Sequence, residues 1–257
     1  ARELAHAAQQ VARQLEAQPY LQVQGLIRCG LILSRVAQLD ARERQETTRA
    51  AHAVLRDALQ QAESLQEPRL VSAASGALGN VYLLANRRTE ALTLTHQAIL
   101  AAQRAGAAEL LFRWHWQAAR LHRAQRDLDQ AIASYRLALA AYEASNLSPV
   151  PADFNLFANE PSHTVFLEHA DLLLQKSGRL GNSAGAQGYL VEARDAVEML
   201  KARELQDYFR DSCVAEARTR VKALVQNIGP GTAVLYPIVL PDRLELLLNL
   251  GPEIKRF

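Results

Sequence analysis

The sequence predicts a mainly α protein, an array of antiparallel helix pairs that ends in a short C-terminal β-hairpin. Three observations predict this. The segments AHAVLRDALQQA from Ala51, ALTLTHQAILAA from Ala91 and AIASYRLALAAY from Ala131 align without gaps at a fixed spacing of 40 residues, each with alanine at its first and eighth positions. Upstream of each lies another apolar-periodic stretch, LIRCGLILSRVAQ, SAASGALGNVYLLA and LFRWHWQAARLHRA, so the repeating unit is a helix pair. The third observation is a change of pattern at the C-terminal end. There AVLYPIVL and LELLLNL flank the turn residues Pro241-Asp242-Arg243, which reads as two antiparallel strands.

Composition sets the outer limits. A chain of 257 residues that is 49% hydrophobic and 22% charged can bury an extended core or hold two small domains, and is not disordered as a whole. Lys+Arg 29 against Asp+Glu 27 leaves a net charge of +2, without the global basic field that draws nucleic acid or anionic membrane, so neither is assigned as a partner. No apolar run spans a bilayer, and the polar start ARELAHAAQQVARQ has no signal-peptide core. Cys29 and Cys213 stand in no metal or redox spacing, which fits a reducing compartment and predicts a cytoplasmic protein. A chain that starts at Ala1, with Met199 as its sole methionine, is expected to be an excised or processed piece.

The elements follow in order. LAHAAQQVARQLEAQ reads as the second helix of a truncated repeat. In the first full unit the run from Leu39 to Arg44 lengthens the inter-helix turn, and a generic helical hairpin accounts for it nearly as well. The middle unit is the most informative. Counting Gly79 as position 8 of a 34-residue repeat puts Leu78 at 7, Tyr82 at 11, Ala91 at 20 and Ala98 at 27, which resembles the tetratricopeptide (TPR) pattern. Small residues at 8, 20 and 27 let two helices approach closely. Ala119, Ala131 and Ala138 repeat the pattern in the next unit, with His122 in the slot of Tyr82. The stretch NLSPVPADFNLFANEPSH, from Asn146 to His163, then breaks the array with three prolines. Helical periodicity returns in TVFLEHADLLLQ, in YLVEARDAVEMLKARELQDYF and in VAEARTRVKALVQNI, which Gly229-Pro230-Gly231 stops. The divisions are helical repeats at 1–146, a linker at 147–163, a degenerate helical repeat at 164–211, and a connecting helix with the hairpin at 212–257.

The order LEHADLLLQ, LVEARDAVEMLKARELQDYFRDSCV, GPGTAVLYPIVLPDRLELLLNL resembles bacterial TPR-CHAT proteins, at the point where a TPR array passes into the caspase-like CHAT domain. The resemblance covers Phe154 to Phe257, and the earlier repeats more generically. It implies a TPR-like superhelix followed by the first strands of an α/β CHAT domain. It also implies a scaffold that holds a protein or peptide in its concave groove and couples that contact to the CHAT domain. The alternative it implies is a recognition or regulatory part of a caspase-like cysteine peptidase, contributing to its substrate channel. Catalytic residues are not carried over. No histidine follows His169, and Cys213 precedes the hairpin in RDSCVAE, whereas a thiolate nucleophile needs a histidine within hydrogen-bond reach. The approach of His163 or His169 to Cys213 stays open. The chain is read as non-enzymatic, without cofactor.

Other chemistry is sparse. The histidines form no HExxH, His115 and His122 stand too far apart to share a metal as neighbours, and GRLGNSAGAQG matches no phosphate-binding loop. Asp127 and Asp129 suit a helix cap. One constellation stands out. Arg113, Trp116, Arg120 and Arg123 fall on a single helical stripe, at groove-lining positions of the TPR register, and Asn80 takes such a position in the preceding unit. Arginine forks suit carboxylates and tryptophan offers an anchoring face. The competing reading is a solvated arginine face with Trp116 packed on a neighbouring helix. The hairpin raises a separate question, because Val234, Tyr236, Ile238, Leu246 and Leu248 are expected to lack a covering layer. Either the hairpin folds back on 214–228, the favoured reading, or it forms a homodimer.

Overall fold

Four turns spaced 20 residues apart lay out the first part of the computed structural model, which describes residues 7, 10, 17–146, 163–181, 183–209, 232–251 and 253–257. They join helices α2 (Arg44–Ser64), α3 (Pro68–Leu84), α4 (Arg88–Arg104), α5 (Ala108–Ala124) and α6 (Leu128–Asn146); α1 (Pro19–Leu39) precedes them. The middle residue of each turn is left-handed: Gln66 at φ 55°, Asn86 at 59°, Gly106 at 59° and Arg126 at 64°. Each helix end closes in the same way. The Arg87 N–H reaches Tyr82 O at 2.8 Å and the Asn86 N–H reaches Leu83 O at 2.9 Å, and equivalent pairs recur at Gly106 with Ala107 and at Arg126 with Asp127. This is the paired bonding that satisfies the last carbonyls of a helix when one residue turns left-handed. The next helix starts at once. Pro68 begins α3, and the Asp127 carboxylate accepts the Gln130 N–H at 3.1 Å, capping α6. The turn between α1 and α2 is different, with Asp40 accepting the Arg42 N–H at 2.8 Å, and both of its helices are longer, at 21 residues.

The 40-residue period is two helices and two turns, and its alanines sit where helices touch. Ala51, Ala91 and Ala131, like Ala58, Ala98 and Ala138, are 0% exposed. Gly79 works in the same way, since a Cβ there would lie 3.2 Å from Ala91 O and 2.9 Å from Gln117 Nε2. Each pair packs internally, α2 and α4 carry the chain to the next pair, and the first helices α1, α3 and α5 touch in sequence. One apolar core runs through them from Val23 and Leu26 to Leu110 and Trp114.

The chain divides into two units, Ala1–Ala158 and Asn159–Phe257. In the second, α7 (His163–Leu180) packs on α8 (Ala184–Phe209), and a sheet of order β1 (Val234–Val239), β2 (Leu244–Asn249), β3 (Ile254–Arg256) joins them. The expected antiparallel hairpin of β1 and β2 is present, and a third strand extends it, with Leu248 opposite Lys255 and Asn249 opposite Ile254. The expectation of a missing covering layer is corrected for Tyr236 and Ile238. Tyr236 and Ile238 are 1% exposed and Leu247 is 0%, and Gln187 of α8 brackets the Ile254 backbone with two 3.1 Å hydrogen bonds. The register sets Tyr236 opposite Leu247, so Leu246 and Leu248 lie on the other face from Tyr236. The stretch 214–228, Cys213 and residues 147–162 lie outside the described residues, as does most of the first predicted helix. Among the described residues no helix is long and apolar enough to cross a membrane.

Two stability predictions follow from this packing. A Cβ on Gly76 would lie only 2.5 Å from Cδ2 and Cζ2 of the Trp114 ring, so Gly76→Ala, like Ala98→Leu, should destabilise the chain by about 1–3 kcal/mol in urea unfolding. Arg126→Gly should instead raise stability by up to about 1 kcal/mol, because glycine adopts the left-handed turn without the Cβ penalty.

Candidate functional site

Helix α5 is fixed before it presents anything. The Trp114 Nε1–H donates to Ser72 Oγ at 2.9 Å, and that hydroxyl donates to Ala98 O at 2.8 Å, linking three helices through buried groups. A second relay lies one turn on. Gln117 Nε2 donates to Gly76 O at 3.1 Å and to Thr95 Oγ1 at 2.8 Å, and the Thr95 hydroxyl donates to Ala91 O at 2.7 Å. Glu109 pairs with Arg69, which holds the equivalent place one period earlier on α3. Buried polar groups satisfied in this way rigidify a contact.

On this anchored helix the predicted stripe divides. Arg120 and Arg123 are exposed and Arg113 is half-buried, while Trp116 is 4% exposed. The guanidinium of Arg120 lies 4.1 Å from the centre of the Trp116 ring. Below it, Phe112 stacks on Trp116 at 5.7 Å and tilts against Tyr142 of α6 at 5.1 Å. The indole is therefore a platform under an arginine. What reaches the surface is the guanidinium, oriented by the ring beneath it. The structure brings Trp116 and Arg120 into contact, places Arg113 and Arg123 on the same helix, and places Asn80 half-buried on α3. Phe112 and Tyr142 are the members that sequence reasoning missed; Phe112 stands four residues before Trp116, the spacing that stacks side chains on a helix. Burial pushes His115 and His122 below the ordinary histidine range, with His96 adding repulsion to both. Among the described residues no group of three His, Cys, Asp or Glu side chains could hold a metal.

The second unit is held by an ionic cluster. Arg243 reaches Asp171 of α7 at 2.6 Å and Glu245 at 2.5 Å, and Arg256 grips Glu245 through two bonds of 2.6 and 2.7 Å. Arg256 also donates to Leu174 O at 2.7 Å. Asp171 and Glu245 are buried at 8% and 7% side-chain exposure. Hydrogen bonds from Arg256, then from Arg243, hold the Glu245 carboxyl below the usual carboxylate range, and the bond to Glu245 raises Arg243. Nearby, His169 is buried with Nε2 3.1 Å from Glu192 Oε1. Directly bonded members lie up to 82 residues apart in the chain, so no local motif announced them.

No protein-family model and no curated protein matches the chain. Among solved structures it is similar to BtubC (BKLC) from P. vanneervenii, at 16% identity and a TM-score of 0.48, over 93% of this chain and 97% of that one.

The cluster generates a pH prediction. Glu245 titrates lower when folded than when unfolded, so its contribution is full above the unfolded value, near about 4.3, and is lost as pH falls through the depressed folded value. Glu245→Gln should cost about 2 kcal/mol at neutral pH and flatten that acid limb, as read by thermal melts of the full chain across the acid range.

Proposed function

We propose that this chain is a protein–protein interaction scaffold of the TPR type, holding a protein or peptide on the groove side of its helix pairs and coupling that contact to a CHAT domain. The observation that supports this reading best is the exposed Arg120 guanidinium placed over the buried Trp116 ring, 4.1 Å from its centre, with Arg123 one turn beyond. A planar fork oriented by an aromatic surface loses little freedom on meeting a carboxylate, so it favours acidic segments of a partner. Composition is in keeping with the same chemistry, since helix α5 carries three arginines, Arg113, Arg120 and Arg123, and one acidic residue, Glu109. Asn80 supplies a side-chain amide for a peptide backbone. The chain acts in this reading without catalysis or cofactor of its own, in a cytoplasmic setting in keeping with its two isolated cysteines.

The test is fluorescence anisotropy of the full chain with labelled Asp/Glu-rich peptides and neutral controls. Saturable binding of the acidic peptides, weakened by salt, is expected, and Arg120→Ala combined with Arg123→Ala should reduce affinity roughly tenfold with the helical circular dichroism unchanged. Equal binding of neutral peptides, or indifference to the double substitution, would remove this reading.

A further inference from the structure

The small sheet of the second unit is inside-out in polarity. An antiparallel sheet with one face on a core ordinarily turns its apolar residues inward and its polar residues to water. Here the buried face carries Glu245, Asn249 and the inward Arg256 with its ion pairs, among Tyr236, Ile238 and Leu247. The other face is almost wholly apolar. Leu235 is 55% exposed, Val239 73%, Leu244 57% and Phe257 68%. They form one patch, because Leu235 lies opposite Leu248 and Val239 opposite Leu244, while the Phe257 backbone exchanges hydrogen bonds with Leu246. Leu246 and Leu248 are half-buried between them.

We infer that this outer face of the β1–β2–β3 sheet is a self-association surface, on which the same face of a second copy of the chain is seated. The inference stands independently of the proposed scaffold role. Size supports it first. The exposed side chains leave roughly 500 Å² of apolar surface, at the upper end of what a monomer shows, and two such faces in contact would bury about 1,000 Å², the threshold of a specific interface. Charge selects the occupant. Lys255 is the only ionisable side chain among the strand positions on this face, so there is no pattern to orient a charged partner, whereas a two-fold contact matches an apolar patch to itself. Geometry then chooses face over edge. Pro237 sits in the middle of the edge strand β1 and has no N–H to donate, so that edge is poorly suited to ladder extension while its outer face stays apolar.

Sedimentation velocity and light scattering on the full chain, across a dilution series, test the inference. A mass twice that of the 28.4 kDa chain, falling towards the monomer on dilution, is expected. Val239→Lys and Leu244→Glu, each at an exposed position, should give monomers at every concentration with the helical circular dichroism retained. Phe257→Glu, beyond the last strand residue, repeats the test where a substitution leaves the strands intact. A wild-type monomer throughout would overturn the inference, whether residues 210–231 or another protein covers the face. A dimer that survives all three substitutions would equally overturn it, by placing the contact elsewhere.

Discussion

The first unit depends on how closely two helices can approach. At Ala51, Ala91 and Ala131, and again at Ala58, Ala98 and Ala138, the side chain is a single methyl group with no exposed surface, so the helix backbones set the spacing. Gly76 carries the logic further, since the space a Cβ would take is filled by the Trp114 ring. Close approach makes short polar links possible. The relay from Trp114 through Ser72 to Ala98 O spans three helices with two hydroxyl-length bonds, and longer side chains at the contacts would separate its ends. Helix α5 is consequently held in one rotation about its axis. That fixed rotation puts Arg120 and Arg123 on the surface.

The second unit meets the same need by other means. Its sheet is too small to be stable alone, and beside the buried Tyr236, Ile238, Leu247 and Ile254 it is tied to α7 by guanidinium groups and to α8 by the Gln187 amide. Arg243 ties β2 to α7 through Glu245 and Asp171, and Arg256 ties β3 to β2 and to a helix carbonyl. A packed array tolerates substitution according to volume. An ionic tie tolerates it according to whether a charge is left behind.

How far these features were legible in the sequence follows from their range. The 40-residue period and its alanines were legible because a repeat states its contact positions several times over. The 20-residue rhythm of the turns was not, because Gln66, Asn86, Gly106 and Arg126 share a backbone conformation and no side-chain chemistry. Strand β3 was missed because three residues show no periodicity. The arginine stripe was legible as a spacing on one helix, but its depth was not. Trp114 and Trp116 stand two apart, on different sides of α5, and the structure buries both, one against α3 and the other beneath Arg120. Single charged residues such as Asp171 and Glu245 read as surface until the fold brings their arginines to them.

The ionic cluster also explains how an inside-out sheet holds its register. Strand side chains alternate, so a slip of one residue exchanges the two faces. For β1 and β2 the exchange would turn Leu235, Val239, Leu244, Leu246 and Leu248 inward, and hydrophobic burial alone would favour it. The exchange would also turn Val234, Tyr236, Ile238 and Leu247 outward, so the net apolar gain is only about one or two side chains, and it would carry Glu245 away from Arg256 and Asp171 away from Arg243; breaking a buried pair costs about 3–5 kcal/mol, more than that net burial returns. Intact, such a cluster adds little net stability, because its charges were solvated before folding. Its effect is discrimination. It sets the observed register against a greasier alternative, and in doing so it keeps the apolar face turned outward.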